Sequence, residues 1–188
     1  MSFRSIARIS ILSAIVLAGA GAANADVFLK IPSLKGDVTL KGFEGQIQIS
    51  GASMSVSSWT APDPSGAADT VRTTTVAPIY VTKSPDRASP KLTSFAVEGM
   101  PLGRIEITFT DDVTKAVTAK WIIDGAEVRS FSVGPDASNG NKPNENIEIA
   151  YASMTYQYFD QKMGARPVEE VKFDVPEEQL FPYDEGCR

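Results

Sequence analysis

The chain has 188 residues and a formal charge of −5, with 23 acidic against 18 basic side chains, no histidine and a single cysteine. The absence of histidine removes Ser-His-Asp and Cys-His nucleophile systems and His-ligated zinc or copper. One cysteine excludes an internal disulfide, and the acid excess makes nucleic acid and anionic membrane surfaces poor partners.

Residues 1–25 read as a cleavable export signal. Arg4 and Arg8 form a positive start, Ile9 to Ala23 is apolar and small, and Ala23-Asn24-Ala25 is a small-x-small cleavage site before Asp26, the first acid of the chain. The apolar stretch is shorter than the roughly 20 residues a membrane span needs, and no second such run follows. Cleavage would leave 163 of the 188 residues, enough for one domain with a core. Because 1–25 holds two arginines and no acid, that remainder carries −7 instead of −5. The expected location is the periplasm or the medium. Cys187, next to the C-terminus, could pair between chains there, although a free tail thiol is the simpler expectation.

From Asp26 the pattern is strand-like. Val27 to Ile31 is a short apolar run closed by Pro32. Phe43, Gly45, Ile47 and Ile49 alternate with polar residues, and Met54 and Val56 continue on the other parity, which implies a bulge or bend. Thr60 to Thr70 reads as an exposed loop and Val71 to Thr82 as β, with Pro78 marking an edge or bulge. Residues 86–99 read as a loop and then a helix, with Ser89 as N-cap, Pro90 at the first turn, Leu92, Phe95 and Ala96 on one face, and Gly99 as C-cap.

Ile105, Ile107 and Phe109 then alternate, followed by a turn at Asp111-Asp112. Val117, Ala119, Trp121 and Ile123 alternate next and end at Asp124-Gly125, a hairpin turn signal, from which Val128 and Phe131 return. Residues 134–146 read as a polar loop. The closing strand carries Ile147, Ile149 and Tyr151 on one parity and Met154, Tyr156 and Tyr158 on the other, implying a bulge. Beyond it, residues 163–188 form an acidic, Pro-containing extension, extended or disordered, within which Val171, Phe173 and Val175 could add a short strand. The expected fold is mainly β, a small barrel or sandwich of about eight strands with one inserted α-helix, with the domain over 26–162.

Several of these segments resemble the type VI secretion tube protein, the haemolysin-coregulated (Hcp) family. Asp26-x-Phe28-Leu29-Lys30-Ile31 with Gly36 is similar to its first strand, and Gly45-Gln46-Ile47 with Ser53-Met54-Ser55 to its second. Lys83 to Leu92, containing Asp86-Arg87-Ala88-Ser89-Pro90-Lys91-Leu92, resembles its loop and helix start. Glu145-x-Ile147-x-Ile149-x-Tyr151-x-x-Met154-x-Tyr156-x-Tyr158 resembles its closing strand. The resemblance implies a barrel flanked by a helix, assembling with copies of itself into hexameric rings that stack into tubes carrying effectors. An effector or envelope protein would be a further partner. It implies subunit contacts in the 83–92 loop and the 33–44 segment, so that Lys35, Asp37, Lys41, Lys83, Asp86, Arg87 and Lys91 are the expected interface residues. Two features depart from the family: its ordinary members carry no export signal, and the acidic extension lies beyond the usual domain end. The alternative is a monomeric exported binding module on the same fold, an adhesin or a carrier of a partner protein.

Nothing points to catalysis or to a cofactor. The carboxylate pairs Asp111-Asp112, Glu169-Glu170 and Glu177-Glu178 sit in turns and tails, where acids are solvated. Asp136, Asn139, Asn141 and Asn144 form an oxygen-rich loop but lack the calcium-loop spacing. Trp59, beside the Pro-rich loop, is the better surface aromatic, while the tyrosines follow strand alternation.

Overall fold

A computed structural model describes residues 26–62, 70–176 and 179. The export signal with Ala23 and Ala25, the middle of the first polar loop, the acids at 177–178 and Cys187 lie outside the described residues. Eleven strands and one α-helix are described: β1 (Val27–Lys30), β2 (Ile47–Ile49), β3 (Gly51–Ser53), β4 (Val56–Pro62), β5 (Thr70–Val76), β6 (Ile79–Lys83), α1 (Ser89–Glu98), β7 (Pro101–Thr110), β8 (Val117–Asp136), β9 (Lys142–Ala150), β10 (Ser153–Tyr158) and β11 (Glu169–Asp174).

The main sheet runs β2-β1-β7-β8-β9-β6-β3, all antiparallel, with β10 and then β11 added along β8. Its first and last strands are consecutive in the chain and separated only by Ser50, whose N–H and Oγ both donate to Thr82 O, at 2.8 and 2.9 Å. The sheet therefore wraps back on itself through one kinked segment instead of through a closing ladder. Leu29, Ile47, Ile79, Ile105, Ile107, Ile123, Ile147, Ile149 and Met154 project inward from these strands and are sealed from solvent. Helix α1 lies against β8 and contributes Leu92 and Phe95 to this core; each such side chain stabilises the fold by about 1.5–3 kcal/mol. The mainly β fold with one inserted helix is as expected.

The differences have local causes. Asp124-Gly125 does not turn the chain back. Gly125 has a φ of +64°, yet β8 continues to Asp136 because β7 lies along one edge and β10 and β9 along the other. Tertiary pairing overrides the turn signal and leaves a bend. The polar stretch 134–146 is mostly strand, Gly134 facing Asn144 and Pro135 facing Pro143. This end of the ribbon is exposed, so it needs no apolar alternation. The reversal itself takes only residues 137–141, where Gly140 and Asn141 adopt left-handed φ of +64° and +60°.

The parity flip in the closing strand is a break at Tyr151-Ala152, not a bulge. Both halves keep to the same edge of β8, and Ala152 N donates to Asp124 O at 3.0 Å. Likewise Pro78 separates β5 from β6. β4 and β5 leave the main sheet as a ribbon with Trp59 58% exposed. In the C-terminal segment, Glu169–Asp174 does form a strand, with Phe173 and Val175 packing on the core. Gln179 bonds β5 through Val76 N (2.8 Å) and Thr74 O (2.6 Å), imitating one residue of a neighbouring strand.

Candidate assembly face

Two segments expected at subunit contacts lie side by side. Residues 33–44 form an irregular arm on β2. Gly36 N donates to Gly45 O (2.8 Å), Gly45 N to Val38 O (2.8 Å) and Val38 N to Gln46 O (3.2 Å). Phe43 stacks on Phe28 with ring centroids 4.3 Å apart. Beyond the arm lies the 84–88 loop, which leads into α1. Asp37 joins the two: its carboxylate accepts from Arg87 Nε and, at 3.3 Å, from Arg87 N. The Arg87 side-chain bond, then its backbone bond, holds the Asp37 carboxyl below the usual carboxylate range. Lys35 and Lys41 are exposed on the arm, and Lys91 is exposed in the first turn of α1. Between arm and loop is a cleft of about 440 Å³, lined by residues including Val38, Gln48, Ser50, Ser84 and Asp86.

Lys83 departs from the expectation. Its side chain is wholly buried, so its ammonium cannot meet another subunit. It faces Glu145 across the β6–β9 ladder. Nζ donates to Glu145 Oε2 (2.7 Å), Asp86 Oδ1 (2.9 Å) and Ser89 Oγ (2.9 Å), which uses all three of its protons. Ser89 Oγ in turn donates to Glu145 Oε2 (2.9 Å) and accepts from Asp86 N (2.9 Å). Ser89 is therefore not the helix N-cap. Ala88 occupies that position without a side-chain bond, its own N–H taken by Asp86 Oδ1 at 3.1 Å. Pro90 at the first turn and Gly99, with left-handed φ, at the end are as expected.

Taken one residue at a time, the sequence does not reveal this cluster. The signal was present in the strand parity. Lys83 continues the inward series of Ile79 and Val81, and Glu145 the inward series of Ile147 and Ile149. A lysine and a glutamate on core-facing positions of neighbouring strands have to pair.

Two of the remaining candidates have local roles. Asp111 caps its turn through Thr114 and Val113, and Asp136 accepts from Ser138; these bonds lower both carboxyl pKa values. Among the described residues no group of three acids or thiols could hold a metal. No described helix is long and apolar enough to cross a membrane.

The model of the family described as type VI secretion system effector, Hcp, matches residues 28–158. The chain belongs to the Hcp family. Hcp1 from Salmonella typhimurium shares the fold with a TM-score of 0.64 at 15% identity, over 81% of this chain and 95% of that one. A type VI secretion system effector from Yersinia pestis does so with a TM-score of 0.63 at 18% identity, over 80% and 100%. The Hcp1 protein of the enteroaggregative E. coli 042 pathovar, in a doubly mutated form, gives 0.60 at 20% identity, over 82% and 98%. At these identities the likeness is one of fold. No curated protein sequence matched the chain.

Proposed function

We propose that this type VI secretion Hcp-like protein is an exported, self-assembling structural subunit. Its copies would join head to tail into rings, with six subunits the number the family resemblance implies. The observation that carries the reading is the joined face of the 33–44 arm and the 84–88 loop. It is exposed, cation-bearing and held in one posture by the Asp37–Arg87 pair. A patch of this kind that meets a different patch on the next copy closes into a ring when the rotation permits.

Export is supported by the sequence of residues 1–25. The expected first residue of the exported chain, Asp26, is tied into the domain. Its backbone oxygen accepts from Thr110 N (3.0 Å) and Thr110 Oγ1 (2.9 Å), and its carboxylate pairs with Lys115 at 2.7 Å. The family's role and the plain uses found for the acids both favour a structural over a catalytic protein. Light scattering and negative-stain microscopy of residues 26–188 over a range of concentrations provide the test. Closed rings support the proposal. A monomer at every concentration refutes it and favours the binding-module reading, for which exposed Trp59 and the Tyr156–Tyr158–Val171 shelf supply contact surface. N-terminal sequencing of the exported protein should begin at Asp26; an N-terminus at Met1 would refute export by cleavage.

A further inference from the structure

The exposed face is suspended from a buried carboxylate. Glu145 lies on β9, is 3% exposed and touches no residue of the 33–44 arm through any hydrogen bond of its own. Yet the bonds run outward from it without a gap. Glu145 Oε2 fixes Lys83 Nζ and Ser89 Oγ; these fix the Asp86 carboxylate and the Asp86 N–H; the Asp86 carboxylate fixes Ala88 N. Arg87 is thereby held at both neighbours, and through its own N–H and guanidinium it holds Asp37 on the arm. The C-terminal end of the loop is also anchored, by burial of Ala88 in the core and by Ser89 N donating to Asp86 O at 3.1 Å, but Ser84, Pro85 and Arg87 are exposed and Pro85 has no N–H to donate.

We infer that Glu145 is a positioning residue for self-assembly. With Lys83 and Ser89 it sets the posture of the Ser84–Ala88 loop, and so of the Asp37–Arg87 bridge, without contacting a neighbouring subunit. This rests on the assembly reading above, but it makes a separate claim about which buried group the face depends on. A buried ion pair replaced by apolar residues of similar volume often leaves stability unchanged. Stability and posture can therefore be separated.

The test compares wild type, E145Q, K83M/E145L and, as a direct break of the Asp37–Arg87 bridge, D37R, each as the exported chain. Fold is read by thermal unfolding, loop posture by hydrogen exchange at the amides of Asp86, Arg87 and Ala88, and assembly by light scattering. K83M/E145L should unfold in one transition, below wild type because Asp86 loses its cation but well above K83M alone. Its 86–88 amides should exchange at least tenfold faster, while those of Phe95 and Ile147 are unchanged, and the concentration for half-assembly should rise at least tenfold. E145Q should shift in the same direction by less, since its amide can still accept from Ser89 or Lys83. Unchanged exchange at 86–88 in K83M/E145L would overturn the inference, as would faster exchange with assembly intact. If wild type stays monomeric while D37R leaves the exchange pattern elsewhere untouched, the assembly reading falls and takes the assembly role of Glu145 with it. If wild type assembles and D37R abolishes rings while K83M/E145L does not, only the inference falls.

Discussion

Gly36→Ala should be costly although Gly36 has no left-handed backbone angle. A Cβ there would lie 2.2 Å from Gln46 O and 2.6 Å from both Gln46 C and Ile47 Cα. These are backbone atoms of the strand that carries the arm, so no side chain can rotate away. Restoring ordinary contact at about 3.5 Å means parting two backbones by about 1 Å. The three bonds joining 36–38 to 45–46 would stretch or break. At about 1 kcal/mol each, with about 1–3 kcal/mol of residual overpacking, the loss is about 4–6 kcal/mol. Reduced freedom of the unfolded chain returns about 0.4–1 kcal/mol, leaving a net loss of about 3–5 kcal/mol. Urea denaturation of the exported chain measures it as a lower midpoint at constant slope. Because Asp37 is the next residue, the Arg87 bridge should weaken as well. A G36A variant within about 0.5 kcal/mol of wild type would refute the reasoning, since the arm would then have room that the structure denies it.

Lys83→Met alone leaves Glu145 and Asp86 without their buried cation and should destabilise by about 3–5 kcal/mol, far more than K83M/E145L; equal losses would mean the pair is not buried as described. Gly125→Ala combines a φ of +64° with a Cβ only 2.8 Å from Ala152 Cβ. It should cost more than the roughly 1–2 kcal/mol of the left-handed angle alone, and a neutral result in thermal unfolding would count against the β8 bend. Burial pushes the Tyr151 phenol up to about 12. The neutral form is therefore favoured in the folded chain, and stability present below pH 10 is lost as pH rises from about 10 towards 12, by about 2 kcal/mol or more. Tyrosinate absorbance should show one of the five tyrosines lagging; all five ionising together near pH 10 in the folded chain would contradict the burial of Tyr151.

What was legible in the sequence was whatever period and local chemistry control. The alternation at Ile105–Phe109 and Ile147–Ile149 marks strands that do bury those residues, and Pro90 and Gly99 bracket the helix. What was not legible depends on distant partners. Asp124-Gly125 looks like a turn until β7, β9 and β10 are placed beside it. Residues 134–146 look like a loop until the two polar halves are seen to face one another. Ser89 is a good cap on local grounds, but Glu145, 56 positions away, takes its hydroxyl. For the assembly face, the surface segments were visible through the resemblance, and the joining of Asp37 to Arg87 was not. The resemblance puts Lys83 among the subunit contacts, while its inward parity with Ile79 and Val81 points the other way.

Many residues that carry the resemblance are ones no neighbouring subunit can touch: Leu29, Ile47, Lys83, Leu92, Glu145, Ile147, Ile149 and Met154 are all buried. A match of that kind transmits the fold and leaves the exterior free to vary, so the electrostatics of assembly must be read from this chain's own surface. The whole chain is acidic, and like-charged copies repel, a term that salt weakens. The arm and the first turn of α1 expose Lys35, Lys41 and Lys91 beside Glu44 and the Asp37–Arg87 pair, a local excess of positive charge that would attract an acidic patch of the next copy, a term that salt also weakens. The local attraction should prevail, because contact distances lie inside the Debye length of about 8–10 Å and most of the like charge lies outside it. Ring formation should therefore weaken as salt rises above physiological strength, and K35E/K91E should weaken it at low salt and flatten the dependence. Assembly that strengthens with salt in wild type would mean that overall repulsion governs, and that this cationic face is not the surface through which the copies meet.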